Sequence, residues 1–189
     1  MKNVVITQSN YIPWKGYFDG MRQSDEFILY DDMQYTKRDW RNRNKIKTQQ
    51  GLQWLTIPVE VKGKFYQKIN ETKISDPAWN RSHWDTLRHN YSKAPCFAEM
   101  KDFIENLYMT AGSEYLSEIN YHFLKGIGDF LGIKTHISFS SEYQYDGDKT
   151  ERLVNLCEIV GGTDYYTGPA AKEYMDESLF GAKKQLYYF

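Results

Sequence analysis

The chain has 189 residues, enough for one domain that buries about two-thirds of its unfolded surface without disulfides. Its 24 basic and 25 acidic side chains give a formal net charge of -1, which excludes the overall basic character of a general nucleic-acid binder. Aromatic residues make up 16% of the chain, and their rings favour stacking surfaces. Any site for an anion must therefore be local.

The cysteines and the N-terminus bear on the cellular compartment. Cys96 and Cys157 lie far apart and have no CxxC or Cys/His spacing, so neither a zinc site nor a disulfide framework is predicted. The opening MKNVVITQSN lacks the apolar core of a signal peptide, and no window reaches the roughly 18 apolar residues of a membrane span. We therefore expect a cytoplasmic protein without a membrane span.

The first elements predict a Rossmann-like βαβ opening. Residues 4–6 form a short apolar run typical of a buried strand, residues 15–22 have helical spacing, and residues 26–30 indicate a second strand. That strand ends in Asp31 and Asp32. Ligands of open α/β sheets bind at this position, just beyond the carboxyl end of a strand.

The rest of the chain predicts an α/β fold with a mixed sheet, a β-hairpin and a central helical block, in a single domain over residues 1–189. Turn signals, alternation and helical periodicity give its elements. They are a hairpin from 42–48 and 54–59, a strand at 68–74, helices at 80–92, 96–109 and 114–131, a strand at 135–139, a helix capped by Asp148 or Thr150 and running through Val160, a strand at 164–167, a helix at 170–176 and a final β-like run at 185–189.

The loop QSNYIPWKGYF, residues 8–18, is the first candidate site. It follows a predicted strand and leads into a helix, whose free N–H groups favour anions. Gln8 opens the loop, Lys15 offers a charge, and Trp14 and Tyr17 offer ring faces. A proline-containing turn packed by aromatic residues explains the same letters equally well.

The stretch YTKRDWRNRNKIKT, residues 35–48, concentrates six basic residues and one acid. In an extended conformation its side chains alternate between two faces. A solvated charged face is the ordinary explanation for such a row. Interleaved asparagines, a central Trp40 and arginines suited to bidentate binding favour a small anionic ligand instead. One face would carry Arg41, Arg43, Lys45 and Lys47, and the other Asn42, Asn44 and Ile46.

Three other residues are candidates for catalysis or binding. His83 lies in a predicted helix between tryptophans that could shift its pKa, although most single helix histidines are structural or exposed. Ser141 closes a late strand, and Lys172 follows the turn TGPAA. By position both would line the same sheet edge as the Gln8 loop, but turn chemistry explains them about as well.

Together these segments resemble the WbqC-like family of bacterial proteins. The resemblance is carried by YIPWKGYFDGM after Gln8, by DWRNRNKIKT followed by WLTIPV, and by YYTGPAAKEYM. The sequence departs from the family pattern at Ser9, where relatives have proline. Relatives also continue past Phe189 with a Tyr-Pro-containing segment and a final helix, so the chain is either a short variant or lacks that C-terminal tail.

The resemblance implies a role in surface-polysaccharide and O-antigen biosynthesis, beside enzymes that make amino sugars on nucleotide carriers. We therefore predict a cytoplasmic transferase that modifies a nucleotide-linked amino sugar by acylation or aminoacylation. A non-catalytic nucleotide-sugar-binding or scaffold protein of the same pathway is the alternative, and an RNA-binding protein is a third. The expected partner is a small anionic ligand rather than DNA, with tRNA involved only if the donor is aminoacyl-tRNA.

Each candidate residue has a predicted role in this transferase. Either Asp31 or His83 would act as base and Lys172 would stabilise an oxyanion. No cofactor is required, although Asp31 and Asp32 could bind Mg²⁺ through a nucleotide's phosphates. The phosphate groups would contact four basic residues, Lys15, Arg41, Arg43 and Lys45. The base or sugar rings would stack on Trp14, Tyr17 and Trp40, and the sugar hydroxyls would bind Asn42 and Asn44. Gln8 and Ser141 would line the site.

Overall fold

A computed structural model of the chain describes residues 1–173, 175–181 and 185–188, with the backbone alone at positions 170, 172, 185, 187 and 188. The chain divides into two compact units, each described here by itself. The first consists of Met1–Gln8, Trp14–Asp32 and Gly128–Phe189, and the second of Ser9–Pro13 and Met33–Ile127.

The described helices and strands confirm the predicted α/β class. The three central helices begin and end within two residues of their predicted bounds. The elements in chain order are β1 (Asn3–Thr7), α1 (Lys15–Gln23), β2 (Glu26–Leu29), β3 (Arg43–Thr48), β4 (Gly51–Thr56), α2 (Trp79–Tyr91), α3 (Phe97–Thr110), α4 (Leu116–Phe130), β5 (His136–Phe139), α5 (Lys149–Ile159), β6 (Asp164–Thr167) and β7 (Gln185–Tyr188).

The first unit contains a five-stranded sheet in the order β5-β2-β1-β6-β7, with every described pairing parallel. The apolar run Val4, Val5 and Ile6 is buried because β1 has a neighbour on each side. Leu156 and Cys157 of α5 are also buried in this core. Among the described strands, antiparallel pairing occurs in a separate two-stranded sheet, so the predicted mixture of pairings is divided between two sheets.

The strand order reverses at β1. After β1, the chain adds β2 and β5 on one side and then returns to add β6 and β7 on the other. Sheets of this kind are doubly wound, and their ligands bind outside the carboxyl ends of the strands near the reversal. The predicted βαβ opening therefore places the end of β1 at the position where such sheets bind ligands.

The second unit consists of the hairpin β3–β4 and a helical block. In the hairpin, Ile46 and Leu55 point to the same face and are buried, as period-2 alternation requires. Trp84, Tyr108 and Phe123, from three successive helices, lie in the same hydrophobic core. The apolar faces of the three amphipathic central helices are thus buried in this core.

Two predicted elements near turns differ from the structure. The strand at 68–74 is wrong: Ile69–Glu71 forms a 3-10 turn, flanked by isolated bridges. The Thr72 hydroxyl donates to the Lys68 carbonyl at 2.8 Å, and Glu71 accepts from the Lys68 N–H, so local bonds replace a strand ladder. The helix predicted at 170–176 is a 3-10 turn over Pro169–Glu173, and Tyr174 and Phe189 lie outside the described residues.

Close packing at Gly162 gives a stability prediction for the first unit. A Cβ there would lie 2.5 Å from Val4 Cγ2 and 2.7 Å from Cys157 Sγ. We expect Gly162→Ala to lower the free energy of unfolding by about 1–3 kcal/mol, because the core must shift to admit the methyl group. Urea denaturation measures the change. Gly168→Ala is the matched control, since nothing lies within 4 Å, and equal losses in both variants would contradict the prediction.

Candidate functional site

Polar residues of the first unit follow the carboxyl ends of neighbouring parallel strands. Gln8 follows β1, Asp31 and Asp32 come just after β2, and Ser140 follows β5. The register pairs Thr7 with Leu29 and Leu29 with Phe139, so these strands end at the same level. Gly168 follows β6 on the other side of β1. The predicted candidates Gln8, Asp31 and Ser141 therefore belong to one edge of one sheet.

Asp32 accepts hydrogen bonds through both of its carboxylate oxygens. Its Oδ1 accepts a hydrogen bond from the buried Ser140 hydroxyl at 2.5 Å, and its Oδ2 accepts one from the Tyr145 hydroxyl. Burial raises the pKa of Tyr145, and the hydrogen bond to Asp32 raises it further. The phenol therefore stays protonated as a donor. Sequence patterns did not identify Ser140 and Tyr145 as hydrogen-bond donors to Asp32, because these bonds form only when β2 pairs with β5.

Exposure separates the residues of this edge that a ligand can reach from those that it cannot. Asp31 is 1% exposed, whereas Asp32 is half-buried and Ser141 is exposed. Lys172 lies on the 3-10 turn over Pro169–Glu173, and its side chain is outside the described residues. Among the residues that the structure describes, no group of three or more His, Cys, Asp or Glu side chains is placed to hold a metal ion.

The start of α1 presents two of the predicted loop residues to solvent. Trp14 is 59% exposed and Lys15 is also exposed. Trp14 is the N-cap of α1 but makes no side-chain capping bond, and the first turn holds no acidic residue. Tyr17 is buried, and its hydroxyl donates to the Gln8 carbonyl at 3.1 Å. Trp14 and Lys15 are thus available to a ligand, while Tyr17 supports the loop.

In the second unit, Arg43, Lys45 and Lys47 of the predicted basic row lie on β3, whereas Arg41 precedes the strand. Lys45 Nζ lies 4.7 Å and the Arg43 guanidinium 4.0 Å from the ring centroid of Trp54, which is on β4. The Trp40 and Trp54 rings are 5.2 Å apart and keep 43% and 38% of their surface exposed. We call these four side chains the hairpin platform. Its two neighbouring rings, whose planes are tilted by 51°, and its cations suit a ligand with phosphate groups and a flat ring.

The asparagines of the other face are used by the protein itself. Asn42 Nδ2 donates to the Ile57 carbonyl at 2.8 Å, and Asn44 Nδ2 donates to the Tyr11 carbonyl at 3.3 Å. Arg41 donates to Asn10 Oδ1 and forms an ion pair with Asp39 at 3.6 Å. The bonds from Asn44 and Arg41 hold the segment Ser9–Pro13 against the start of β3, and the bond from Asn42 ties that start to Ile57. They favour structural roles for Asn42, Asn44 and Arg41 over the predicted ligand contacts.

His83 lies in a buried aromatic network of the second unit. Its Nε2 is 3.2 Å from the Thr56 carbonyl, which can only accept, so Nε2 carries the proton. Nδ1 then accepts from the Tyr11 hydroxyl at 2.9 Å, and Tyr11 lies 2.5 Å from the Tyr108 hydroxyl. Burial lowers the pKa of His83 to about 4. A neutral ring with both nitrogens bonded favours a structural role for His83 over that of a base.

The structure thus brings the predicted residues together in two sets, one in each unit. The first unit has Gln8, Trp14, Lys15, Tyr17, Asp31, Ser141 and Lys172, and the second has Trp40, Arg41, Asn42, Arg43, Asn44, Lys45 and His83.

The doubly wound parallel sheet, with hydrogen-bonded polar groups at its carboxyl edge, places the chain in the class of doubly wound α/β proteins. The model of the WbqC-like protein family matches residues 8–189, and the chain belongs to that family. It is 53% identical over 180 residues to the uncharacterized protein Rv1507c of Mycobacterium tuberculosis, a match that covers 95% of this chain and 78% of that protein. No solved structure matches the chain. Within the described part, no helix has the length and apolar character needed to cross a membrane.

The lowered pKa of His83 predicts a pH dependence of stability. The unfolded chain binds a proton at this ring near pH 6.5 and the folded chain only near pH 4, so stability present above pH 6.5 is lost as the pH falls towards 4. We expect wild type to lose about 3 kcal/mol more than His83→Gln between pH 7 and pH 4. Urea denaturation at both pH values measures this difference. His89→Gln, an exposed position of α2, should behave like wild type; equal losses in wild type and His83→Gln would contradict the prediction.

Proposed function

We propose that this protein is a transferase that modifies a nucleotide-linked amino sugar, by acylation or aminoacylation, in the cytoplasmic steps of surface-polysaccharide synthesis. The observation that carries the proposal is the reversal of strand order at β1, with Gln8, Asp32 and Ser141 at the carboxyl edge. Nucleotides bind doubly wound sheets at this place. Membership in the WbqC-like family is consistent with the proposal but names no reaction.

The nucleotide sugar is assigned to the first unit. A diphosphate would bind at the N-terminus of α1, where backbone N–H groups lack a side-chain cap and Lys15 adds a positive charge. The exposed ring of Trp14 would stack on the base or the sugar. Asp32 and Ser141 would orient hydroxyl groups at the sheet edge. Any Mg²⁺ in this site would be held mainly by the phosphates, because both Asp32 oxygens already accept hydrogen bonds.

The proposed chemistry is attack of the sugar amine on the acyl carbonyl of a donor. The amine nitrogen bonds to the acyl carbon, the bond from that carbon to the donor's carrier breaks, and the half-buried carboxylate of Asp32 takes the amine proton. Asp31, one of the two predicted bases, is 1% exposed and therefore out of the amine's reach. The amine must be neutral to attack, so a nearby carboxylate assists by accepting a proton. Lys172 is the proposed stabiliser of the oxyanion. His83 is left out because both of its ring nitrogens are bonded within the protein.

We propose the hairpin platform, from the contacts of the second unit alone, as a separate site for a phosphate-bearing carrier molecule. Arg43 and Lys45 lie over the ring of Trp54 at 4.0 and 4.7 Å, and Trp40 extends the aromatic surface. Phosphate groups would bind the cations while a flat ring stacks on the tryptophans. The affinity for a carrier with a few phosphates would fall only slightly as the salt concentration rises. The affinity for a tRNA carrier would fall steeply, because many counterions are released on binding.

Binding of nucleotide sugars tests the proposal. A ligand at about a hundred times its dissociation constant should stabilise the protein by about 2.7 kcal/mol. We expect Lys15→Ala to weaken this ligand about 10- to 100-fold, since a hydrogen bond to a charged group contributes about 1.5–3 kcal/mol. The melting temperature without ligand should hardly change, because Lys15 is exposed. Calorimetric titration and thermal denaturation measure the two effects.

Lys149→Ala serves as the control, because it removes an exposed lysine from a different helix of the same unit. Stabilisation by RNA but by no nucleotide sugar would overturn the proposal. Equal loss of affinity in Lys15→Ala and Lys149→Ala would overturn the assignment to the start of α1. Tight binding of a nucleotide sugar without transfer from any acyl or aminoacyl donor would favour the non-catalytic alternative.

A further inference from the structure

The second unit carries an excess of unpaired positive charge between residues 37 and 68. This section holds nine basic side chains and two acidic ones, and both acids, Asp39 and Glu60, already form ion pairs. Seven basic side chains of the section form no ion pair among the described residues. They are Lys37, Arg38, Arg43, Lys45, Lys47, Lys62 and Lys68. In a chain whose net charge is -1, such a concentration of charge attracts an anionic partner to one place.

Hydrogen bonds bring the separate parts of this section together. Lys68 pairs with Gln34 in an antiparallel bridge, so the loop that ends at Lys68 lies beside the segment that precedes β3. In that segment, the Arg38 carbonyl accepts a hydrogen bond from the Arg43 guanidinium on β3. The seven unpaired cations therefore belong to neighbouring parts of one unit, and we call them the basic surface.

The basic surface is wider than a small ligand. From Arg43 to Lys47 the row on β3 spans about 14 Å, because an antiparallel strand rises about 3.4 Å per residue. Lys62 and Lys68 lie outside this strand, in the loop before the Ile69–Glu71 turn. A nucleotide with two or three phosphate groups can contact only part of such a surface. The complementary partner is therefore a chain of many phosphate groups.

Exposed aromatic rings are mixed with the cations of the basic surface. On the hairpin platform, Arg43 and Lys45 lie over the ring of Trp54. A membrane-binding surface keeps its apolar face apart from its charged face. A surface for single-stranded nucleic acid instead combines rings that stack on bases with cations that bind phosphates. The mixture on the hairpin therefore favours a nucleic acid with unpaired bases over a lipid bilayer.

The loop of the basic surface repeats this mixture. Phe65 and Tyr66 are 69% and 84% exposed, and they lie between Lys62 and Lys68 in the sequence. The Gln34 side-chain amide donates to the Phe65 carbonyl at 2.9 Å, which holds the loop in place. Because the backbone of the loop is fixed in this way, its exposed rings can stack on bases at a small cost in ordering.

We propose that the basic surface binds a single-stranded segment of RNA, such as an unpaired end or loop. Phosphates bind the seven cations, and bases stack on the exposed rings of the hairpin and the loop. The inference deepens the proposed function, because it names the phosphate-bearing carrier molecule of the hairpin platform as an RNA. It rests on the proposed function only in that respect. RNA binding is measured without a nucleotide sugar, so the failure of either binding event leaves the other site standing.

The salt dependence of RNA binding tests the extent of the basic surface. The probe is a fluorescent single-stranded RNA of mixed sequence and about 12 nucleotides, a length typical of single-strand binding sites. Each phosphate contact contributes about -0.7 to the slope of log K against log salt concentration, so about four to seven contacts give a slope of about -3 to -5. Fluorescence anisotropy of the intact protein measures this slope. A slope no steeper than that for adenosine diphosphate would overturn the proposal.

A matched pair of double variants locates the bound RNA. Lys62→Gln combined with Lys68→Gln removes two exposed cations from the loop, and we expect weaker RNA binding with a slope about 1.4 shallower. Lys93→Gln combined with Lys101→Gln removes two exposed lysines of the same unit outside the basic surface and should leave both values unchanged. All four side chains are exposed, so neither double variant should unfold the protein. Equal losses in the two double variants would overturn the proposal.

Trp54 tests the contribution of base stacking. Trp54→Ala should weaken binding of the single-stranded RNA about 5- to 150-fold, as expected when one base loses its stacking partner. Trp54→Phe keeps a flat ring and should retain most of the affinity. Inorganic polyphosphate, which has no bases, should bind both variants equally. Three results would overturn the proposal: unchanged RNA affinity in Trp54→Ala, tighter binding of the same sequence as DNA, or binding of phosphatidylglycerol vesicles without binding of RNA.

Discussion

Parallel pairing of β1 on both of its sides is the constraint on which the first unit depends. Three successive apolar residues make Asn3–Thr7 suitable only for a strand buried between neighbours, and it pairs with β2 and β6. The chain must then build the sheet in two directions from its first strand. This order brings Gln8 to the reversal point and Asp32 and Ser140 to the same edge. The proposed nucleotide site follows from this topology more than from any single side chain.

In the second unit, hydrogen bonds between buried polar groups fix the position of one loop segment. The short segment Ser9–Pro13 is held by Asn44, which donates to the Tyr11 carbonyl, and by Asn120, which donates to the Ser9 hydroxyl. Asn42 donates to the Ile57 carbonyl and so ties the start of the hairpin to the segment that follows it. Tyr11 extends this network to His83. Each buried amide donor that finds an acceptor restricts the arrangement of the chain, although the Oδ1 atoms of Asn42 and Asn120 are buried without a hydrogen-bond partner among the described residues. Such a scaffold is well suited to present a rigid outer face, which is where Trp54 and Arg43 lie.

Sequence patterns predicted those features that depend on local periodicity. The central helices, the hairpin and the capping of α5 by Asp148, which accepts from the Thr150 and Glu151 N–H groups, are confirmed. The patterns could not show which polar side chains the protein uses internally. Asn42 looked like a ligand-binding residue because it alternates with arginines, yet its partner Ile57 comes from beyond the hairpin. The link from Tyr145 to Asp32 spans more than a hundred residues and has no local signal.

The central claim is that the carboxyl edge of the parallel sheet binds the nucleotide sugar. Hydrogen–deuterium exchange of the intact chain, with and without a saturating nucleotide sugar, tests this claim most directly, because amide protection locates binding along the chain. The account predicts slower exchange at the strand-end segments 7–8, 30–32 and 139–145 and at the start of α1. Protection confined to the hairpin, with these segments unchanged, would contradict it.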